Sequence, residues 1–155
     1  MAVATTATTL RPDLADAIDA LNAELYENLN NGVYQAGFAT TQQAYEEAYH
    51  KVFTTLDRLE ARLADGRTYL FGDRLTETDI RLFVTLVRFD AAYHGLFKCN
   101  RNTLKAMPGL HAYLHRILAL EGVARTVDLD HIKAGYYSIK ALNPGGIVPV
   151  GPGDL

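Results

Sequence analysis

Residues Leu75-Thr76-Glu77-Thr78-Asp79-Ile80-Arg81-Leu82-Phe83 spell out a helix start and constrain the fold more than any other stretch. Thr76 is placed as N-cap, its hydroxyl accepting from the backbone N–H of Asp79. The Asp79 carboxylate reaches back to the Thr76 N–H and opposes the positive helix end. Leu75 and Ile80 stand at the spacing of a hydrophobic staple. Behind this start, Ile80, Leu82, Phe83, Val84, Leu86, Val87 and Phe89 cover more than one face, which predicts a helix surrounded by protein at the centre of a helical domain.

The rest of the chain is read from that helix outward. Residues 1–11, rich in Thr and Ala, are expected to be disordered, and Pro12-Asp13 opens a pattern in which Leu14, Ile18, Leu21, Leu25 and Leu29 recur every three or four residues. Asn30-Asn31-Gly32 interrupts it. The Gly-bounded, aromatic segment 32–38, containing Tyr34, reads as a connector lying over the fold. Thr40, with Gln43 three residues on, offers a second capping box, and Tyr45, Tyr49, Val52, Leu56, Leu59 and Leu63 mark a long amphipathic helix ending near Asp65-Gly66. Residues 95–107 read as a loop or one short helix, and Pro108 suits the first turn of the next. Leu110, Tyr113, Leu114, Ile117 and Leu118 form its apolar stripe, Gly122 breaks it, and Asp128 caps a last helix through Tyr137. From Asn143 onward Pro144, Pro149 and Pro152 predict an extended tail over 143–155. The fold class is therefore all-α: one helical domain over 12–142 with an extended C-terminal tail.

Composition excludes several function classes. A chain of 155 residues at 48% hydrophobic suits one domain with one core. The 18 acidic and 15 basic residues are interspersed, so no basic field for nucleic acid exists. Cys99, the single cysteine, cannot form an internal disulfide, and the first residues lack a secretory signal, which together fit the cytoplasm. No apolar run approaches the ~18 to 20 residues that span a bilayer, so no membrane association is expected.

The capped helix at Thr76 and the helix opened by Pro108-Gly109-Leu110 resemble the C-terminal domain of glutathione transferases. More specific are Asn31-Gly32-Val33-Tyr34-Gln35-Ala36-Gly37-Phe38-Ala39, Arg88-Phe89-Asp90 with Phe97-Lys98-Cys99, and Asp130-His131-Ile132-Lys133 leading to Tyr136-Tyr137 and Asn143-Pro144. Together these resemble the S-glutathionyl-hydroquinone reductases, the Xi class of that superfamily. The resemblance covers roughly residues 14–152. It implies a glutathione transferase C-terminal-like helical bundle, and an expectation that the N-terminal thioredoxin-like domain with its Cys-Pro site is absent from this chain.

What the resemblance implies about function follows the family's chemistry. A cysteine thiolate of the thioredoxin-like domain attacks the sulfur of a glutathionyl-hydroquinone, the hydroquinone leaves, and glutathione as co-substrate resolves the mixed disulfide. The helical half supplies the aromatic pocket and takes part in dimerisation. Tyr34 and Tyr136 match the family's substrate tyrosines, and the implied partners are an aromatic hydroquinone, a thioredoxin-like domain in cis or in trans, and a second copy in a homodimer. An apolar patch is expected on the Tyr34 side. The commoner family pattern carries a histidine after the tyrosine pair, where this chain has Ser138-Ile139-Lys140. That departure leaves open whether Tyr136 or Tyr137 faces the pocket, since helix neighbours point about 100 degrees apart. The alternative function is a non-enzymatic dimerisation or ligand-binding module on the same scaffold; self-sufficient glutathione transfer is a third idea.

Other chemistry-bearing residues have plainer readings. Cys99 has Lys98 and Arg101 nearby, which would lower a thiol pKa, but a lone cysteine in a helical protein most simply fills apolar space. His111 and His115 are four apart on one helix, the spacing of a shared metal, yet two ligands are too few and a solvated face is the default. No catalytic residue is assigned to this chain. Thr76 and Asp79 are structural, as are Arg88 and Asp90, whose charges must find an ion pair or a capping network within so apolar a stretch. Tyr45 and Tyr49 are core or dimer-interface packing.

Overall fold

At the centre of the molecule one carboxylate joins three parts of the chain. In the computed structural model, which describes residues 14–155, helix Glu77–Arg88 begins at a Thr76 with extended backbone, and both halves of the capping box are present. Asp79 Oδ2 accepts from the Thr76 N–H at 2.8 Å and from the Thr76 hydroxyl at 3.2 Å. Its Oδ1 accepts from the Leu70 N–H at 3.0 Å and from the Tyr113 hydroxyl at 2.6 Å. Asp79 is fully buried, and four donors offset the desolvation of its charge. Residues 1–11 and the helix start at Pro12-Asp13 lie outside the described residues.

The described helices are α1 (Ala15–Leu25), α2 (Asn31–Phe38), α3 (Gln42–Leu63), α4 (Glu77–Arg88), α5 (Pro108–Leu118) and α6 (Leu129–Tyr137). Two π-helical turns, Tyr26–Asn30 and Phe89–Tyr93, extend α1 and α4, and short 3-10 turns occupy Leu104–Ala106 and Ala124–Thr126. No strand occurs among the described residues, only an isolated bridge between Tyr69 and Gly72. The all-α expectation holds. Helix α3 packs against α2 and α5, α1 against α4, and α6 against the turn Phe89–Tyr93. The shared core is built from Leu25, Leu29, Val52, Leu56, Leu82, Leu86, Phe97 and Leu110, among others.

Three local expectations are corrected. Segment 32–38 is helical rather than a connector, because the turn Tyr26–Asn30 absorbs one extra residue and carries the helix across Asn30-Asn31-Gly32. The glycines there serve packing: a Cβ on Gly32 would stand 3.0 Å from Val52, and one on Gly37 would stand 2.5 Å from the Phe97 ring. Helix α3 is capped by Thr41, not Thr40; the extended Thr41 accepts from the Ala44 N–H at 3.1 Å, and Gln43 instead bonds Glu47 at 3.0 Å. Helix α4 is not surrounded by protein. Ile80 and Val84 are each close to half exposed, so the Leu75–Ile80 staple is not a buried contact.

Other starts and stops follow the sequence. Pro108 occupies the first turn of α5, whose free N–H groups at Gly109 and Leu110 donate to the Glu60 carboxylate on α3, each at 2.7 Å. Asp128 caps α6 by accepting from the His131 N–H at 3.0 Å. Gly66 and Gly122 adopt positive φ where α3 and α5 give way to loops. The segment beyond Asn143 is extended and lies along the bundle. The buried Lys133 ammonium donates to the carbonyls of Val150 and Pro152 at 2.9 and 3.1 Å, and Lys105 pairs with Asp154 at 2.5 Å. No described helix is long and apolar enough to cross a membrane.

Candidate functional site

Tyr34 projects from the middle of α2 and Tyr136 from the last turn of α6, and their hydroxyl oxygens lie 2.8 Å apart. A third phenol completes the group: the Tyr93 hydroxyl, at the end of the second π turn, lies 2.7 Å from that of Tyr136. The rings pack as well as the hydroxyls. Phe97 sits fully buried among them, edge-on to Tyr34 at 5.2 Å, stacked on Tyr93 at 5.3 Å and edge-on to Tyr136 at 5.8 Å. Sequence reasoning brought Tyr34 and Tyr136 forward and missed Tyr93. The signal available was weak: a tyrosine inside an apolar run must find a partner for its hydroxyl when buried.

Three hydroxyls in a row hold three protons, and two bonds use two of them. Tyr93 is buried at 3% exposure, whereas Tyr34 is 41% exposed, so a chain running Tyr93 to Tyr136 to Tyr34 leaves the unused proton at the open end. Burial pushes the Tyr136 phenol up, its bond to Tyr34 adds to this, and the bond from Tyr93 and the nearby charge of Arg88 oppose it. Tyr93 is held far above the usual phenol range, first by burial and then by donation to Tyr136. The innermost phenol is therefore held neutral.

Both π turns border the same opening. A cleft of about 510 Å³ is lined by Tyr26, Asn30, Tyr34, Val84, Arg88 and Tyr136, and a second of about 380 Å³ by Tyr34, Arg88, His131, Ile132 and Tyr136. Tyr34, Arg88 and Tyr136 belong to both, so they form the ridge between the two. Asn30 braces the first by donating to the Arg81 carbonyl at 3.2 Å and to the Thr85 hydroxyl. Exposed apolar side chains lie in and near it: Tyr26 and Val84 line it, and Phe38 and Ile80 stand one helical turn from Tyr34 and Val84. Tyr137 points elsewhere, with its hydroxyl 2.7 Å from where a Cβ on Gly95 would be. Tyr136 is thus the member of the pair that faces the clefts.

The remaining residues singled out from the sequence lie apart. Asp90 accepts from the Leu104 N–H at 2.7 Å and the Lys105 N–H at 3.3 Å, capping the 3-10 turn. Arg88 donates to the Val84 carbonyl at 2.6 Å. Cys99 is fully buried, its thiol pushed up to about 12 by burial against the smaller opposing effect of Lys98. The rings of His111 and His115 meet edge to face at 4.6 Å, and His111 is partly buried with its Nε2 unpartnered, so the pair is not a simply solvated face. Among the described residues no group of three or more metal-ligating side chains gathers. Tyr45 and Tyr49 pack on the core, with the Tyr45 hydroxyl donating to the Lys98 carbonyl at 2.6 Å.

Residues 42–116 match the family model for the glutathione S-transferase C-terminal domain. The chain is 59% identical over 136 residues to the glutathionyl-hydroquinone reductase PcpF of Sphingobium chlorophenolicum, covering 87% of this chain and 43% of that protein. It is 49% identical to the glutathionyl-hydroquinone reductase YqjG of Escherichia coli K12, over 91% of this chain and 43% of that one. The glutathione-bound structure of YqjG superposes with a TM-score of 0.90 over 93% of this chain and 47% of that chain, at 48% identity. The Xi-class transferase of Phanerochaete chrysosporium superposes with a TM-score of 0.89 at 45% identity, over 93% of this chain and 49% of that one. The chain spans less than half the length of these relatives.

Proposed function

This chain belongs to the glutathione transferases, as a C-terminal helical domain of the Xi-class, glutathionyl-hydroquinone reductase type, and on that premise we propose that it forms the aromatic-substrate wall of such a reductase. The observation that carries the reading is the hydroxyl chain Tyr93–Tyr136–Tyr34, which ends on a cleft with one proton to donate. The substrate is a hydroquinone bearing glutathione through sulfur. A cysteine thiolate of a thioredoxin-like domain, joined in cis or met in trans, attacks that sulfur. In the keto tautomer of the ring, whose sulfur-bearing carbon carries the extra proton, the sulfur–sulfur bond forms as the carbon–sulfur bond breaks, and the electron pair passes through the ring to the carbonyl oxygen, which takes a proton and restores the aromatic hydroquinone. A second glutathione then reduces the mixed disulfide.

Within that sequence the tyrosines act on oxygen, not sulfur. As the ring receives the electron pair, negative charge builds on its phenolic oxygens, and a donor already held in place stabilises it without reorganising. Tyr34, at the open end of the chain, is the donor; Tyr136 lines the cleft beside it and, held by Tyr93, supports it from behind by donating to its oxygen. The exposed apolar residues Tyr26, Phe38, Ile80 and Val84 around the cleft support the thioredoxin-like domain as the partner that closes it. Dimerisation through the helical half and a cytoplasmic setting belong to the same proposal.

The test is reconstitution. Mixing the purified chain with a separately expressed thioredoxin-like half of the family should restore glutathione-dependent release of hydroquinone from a glutathionyl-hydroquinone. Association without turnover would leave only a binding module, and no association would remove the partner from the proposal.

A further inference from the structure

Arg88 is the arginine of the cleft that no carboxylate among the described residues claims. Arg81, the other arginine of the cleft, pairs with Glu77, but among the described residues no carboxylate lies within ion-pair distance of Arg88. Its one hydrogen bond runs from Nη1 to the Val84 carbonyl, and its other guanidinium donors have no partner among the described residues. The nearest acid along the chain, Asp90, has both oxygens committed to the Leu104 and Lys105 N–H groups. Among the described residues no aspartate or glutamate lines either cleft, although the protein as a whole carries a formal charge of -3. An acidic chain has thus placed a guanidinium without a described carboxylate partner on the ridge it shares with Tyr34 and Tyr136.

Such a group is expensive to leave partly desolvated, and it matches a planar anion better than a neutral ring. We propose that Arg88 reads a negative charge on the ring held by Tyr34 and Tyr136, so that the preferred aromatic carries an acidic substituent such as a carboxylate. This rests on the reading of the cleft as an aromatic-ligand site and narrows the substrate class. It also revises the plain structural role given to Arg88, which holds for Asp90. A glutathionyl carboxylate offers the same chemistry from a second source. The ring is the source of that charge, because the guanidinium shares its ridge with the two phenols that line the ring's cleft.

The experiment uses the full chain and three probes followed by NMR: hydroquinone, 2,5-dihydroxybenzoate and S-methylglutathione. Binding at the site is recognised by shifts in the Tyr34 and Tyr136 ring signals. The wild-type chain should bind 2,5-dihydroxybenzoate at least about tenfold more tightly than hydroquinone, with a preference that shrinks as salt rises. Arg88→Gln should bring the two to parity, and Arg88→Lys should keep part of the preference and show that a charge at this position is tolerated by the fold. Hydroquinone shifting both tyrosines with no preference for the acid would overturn the role of Arg88 and leave the aromatic site standing. S-methylglutathione binding that depends on Arg88, without discrimination between the two rings, would assign the guanidinium to the peptide and likewise overturn it. If neither ring compound moves the tyrosine signals, both the proposal and the aromatic site on which it rests are wrong.

Discussion

The hydroxyls of Tyr34 and Tyr136 are 2.8 Å apart in space and 102 residues apart in sequence. No local propensity could bring them together. Their meeting depends on α2 docking on α3, on α6 docking on the turn Phe89–Tyr93, and on Phe97 filling the space between the rings. The geometry of the candidate site is therefore a property of the packed core, and disturbances of that core should reach it.

Replacing Tyr136 with Phe removes the middle of the hydroxyl chain and strands the buried Tyr93 donor, whereas Tyr34→Phe removes its outer end. In the reconstituted reaction Tyr34→Phe should lower turnover by at least roughly a hundredfold, the usual loss when an oriented donor to a developing oxyanion is removed. Tyr136→Phe, which removes the support behind that donor, should lower it by roughly tenfold or more, with the larger effect on kcat than on KM. Tyr137→Phe is the control and should leave turnover unchanged. Equal losses for Tyr136→Phe and Tyr137→Phe would show that the measured effect is general to that helix.

Asp79→Ala leaves four donors to find other partners, two of them on other segments, at Leu70 and Tyr113. Hydrogen bonds to a charged group contribute about 1.5 to 3 kcal/mol each, but they are not additive, so a loss of about 3 kcal/mol or more is expected. For a domain of this size that lowers the thermal midpoint by roughly 6 to 12 °C. Asp79→Asn keeps the shape and should fall between the two. Scanning calorimetry decides it, and a shift of under 2 °C for Asp79→Ala would mean that the buried carboxylate is neutral to stability.

How much of this was legible depended on the range of the information. Thr76, Asp79, Pro108 and Asp128 act within one helical turn, and their caps were read correctly from spacing alone. Asn31-Gly32 read as a break because a glycine in sequence looks the same whether it frees the chain or makes room for Val52. Ile80 and Val84 read as buried because hydrophobicity reports only a preference, not whether another surface is present to satisfy it. Tyr93 was indistinguishable from a core aromatic until Tyr136 stood beside it. The choice between Tyr136 and Tyr137 turned on the room left by Gly95, a residue forty positions away.

Gly37 and Gly135 make a matched pair for separating helix propensity from packing. Both lie inside helices, where Gly→Ala ordinarily gains about 0.5 to 1 kcal/mol. A Cβ on Gly135 meets nothing within 4 Å, so Gly135→Ala should raise stability by about that amount. On Gly37 it would lie 2.5 Å from two atoms of the fully buried Phe97 ring, and overpacking at about 1 to 3 kcal/mol should reverse the sign. Urea unfolding of the two variants tests this. The displaced Phe97 should also shift the Tyr34 and Tyr136 ring signals in Gly37→Ala alone, and a stabilised Gly37→Ala would mean that the ring yields more easily than its burial implies.

Cys99 gives the pH dependence a definite sign. Its thiol is held at about 12 in the folded chain, against an ordinary value of 9.0. Between those values the unfolded chain has lost a proton that the native chain keeps, so the native state binds more protons and stability falls as pH rises. The contribution is complete below about pH 9 and is lost progressively toward 12, at up to about 1.4 kcal/mol per pH unit for this one group. The raised phenols of Tyr45, Tyr93, Tyr113, Tyr136 and Tyr137 act in the same direction from their ordinary value of 10.0 upward, so some decline persists without the cysteine. Cys99→Ala should therefore show a shallower loss of urea resistance between pH 9 and 10.5 than the wild-type chain, whatever its offset at neutral pH. A thiol reagent at pH 8 should label Cys99 only once urea has opened the core. Parallel stability curves for the two chains, or prompt labelling of the native protein, would place the thiol in water instead.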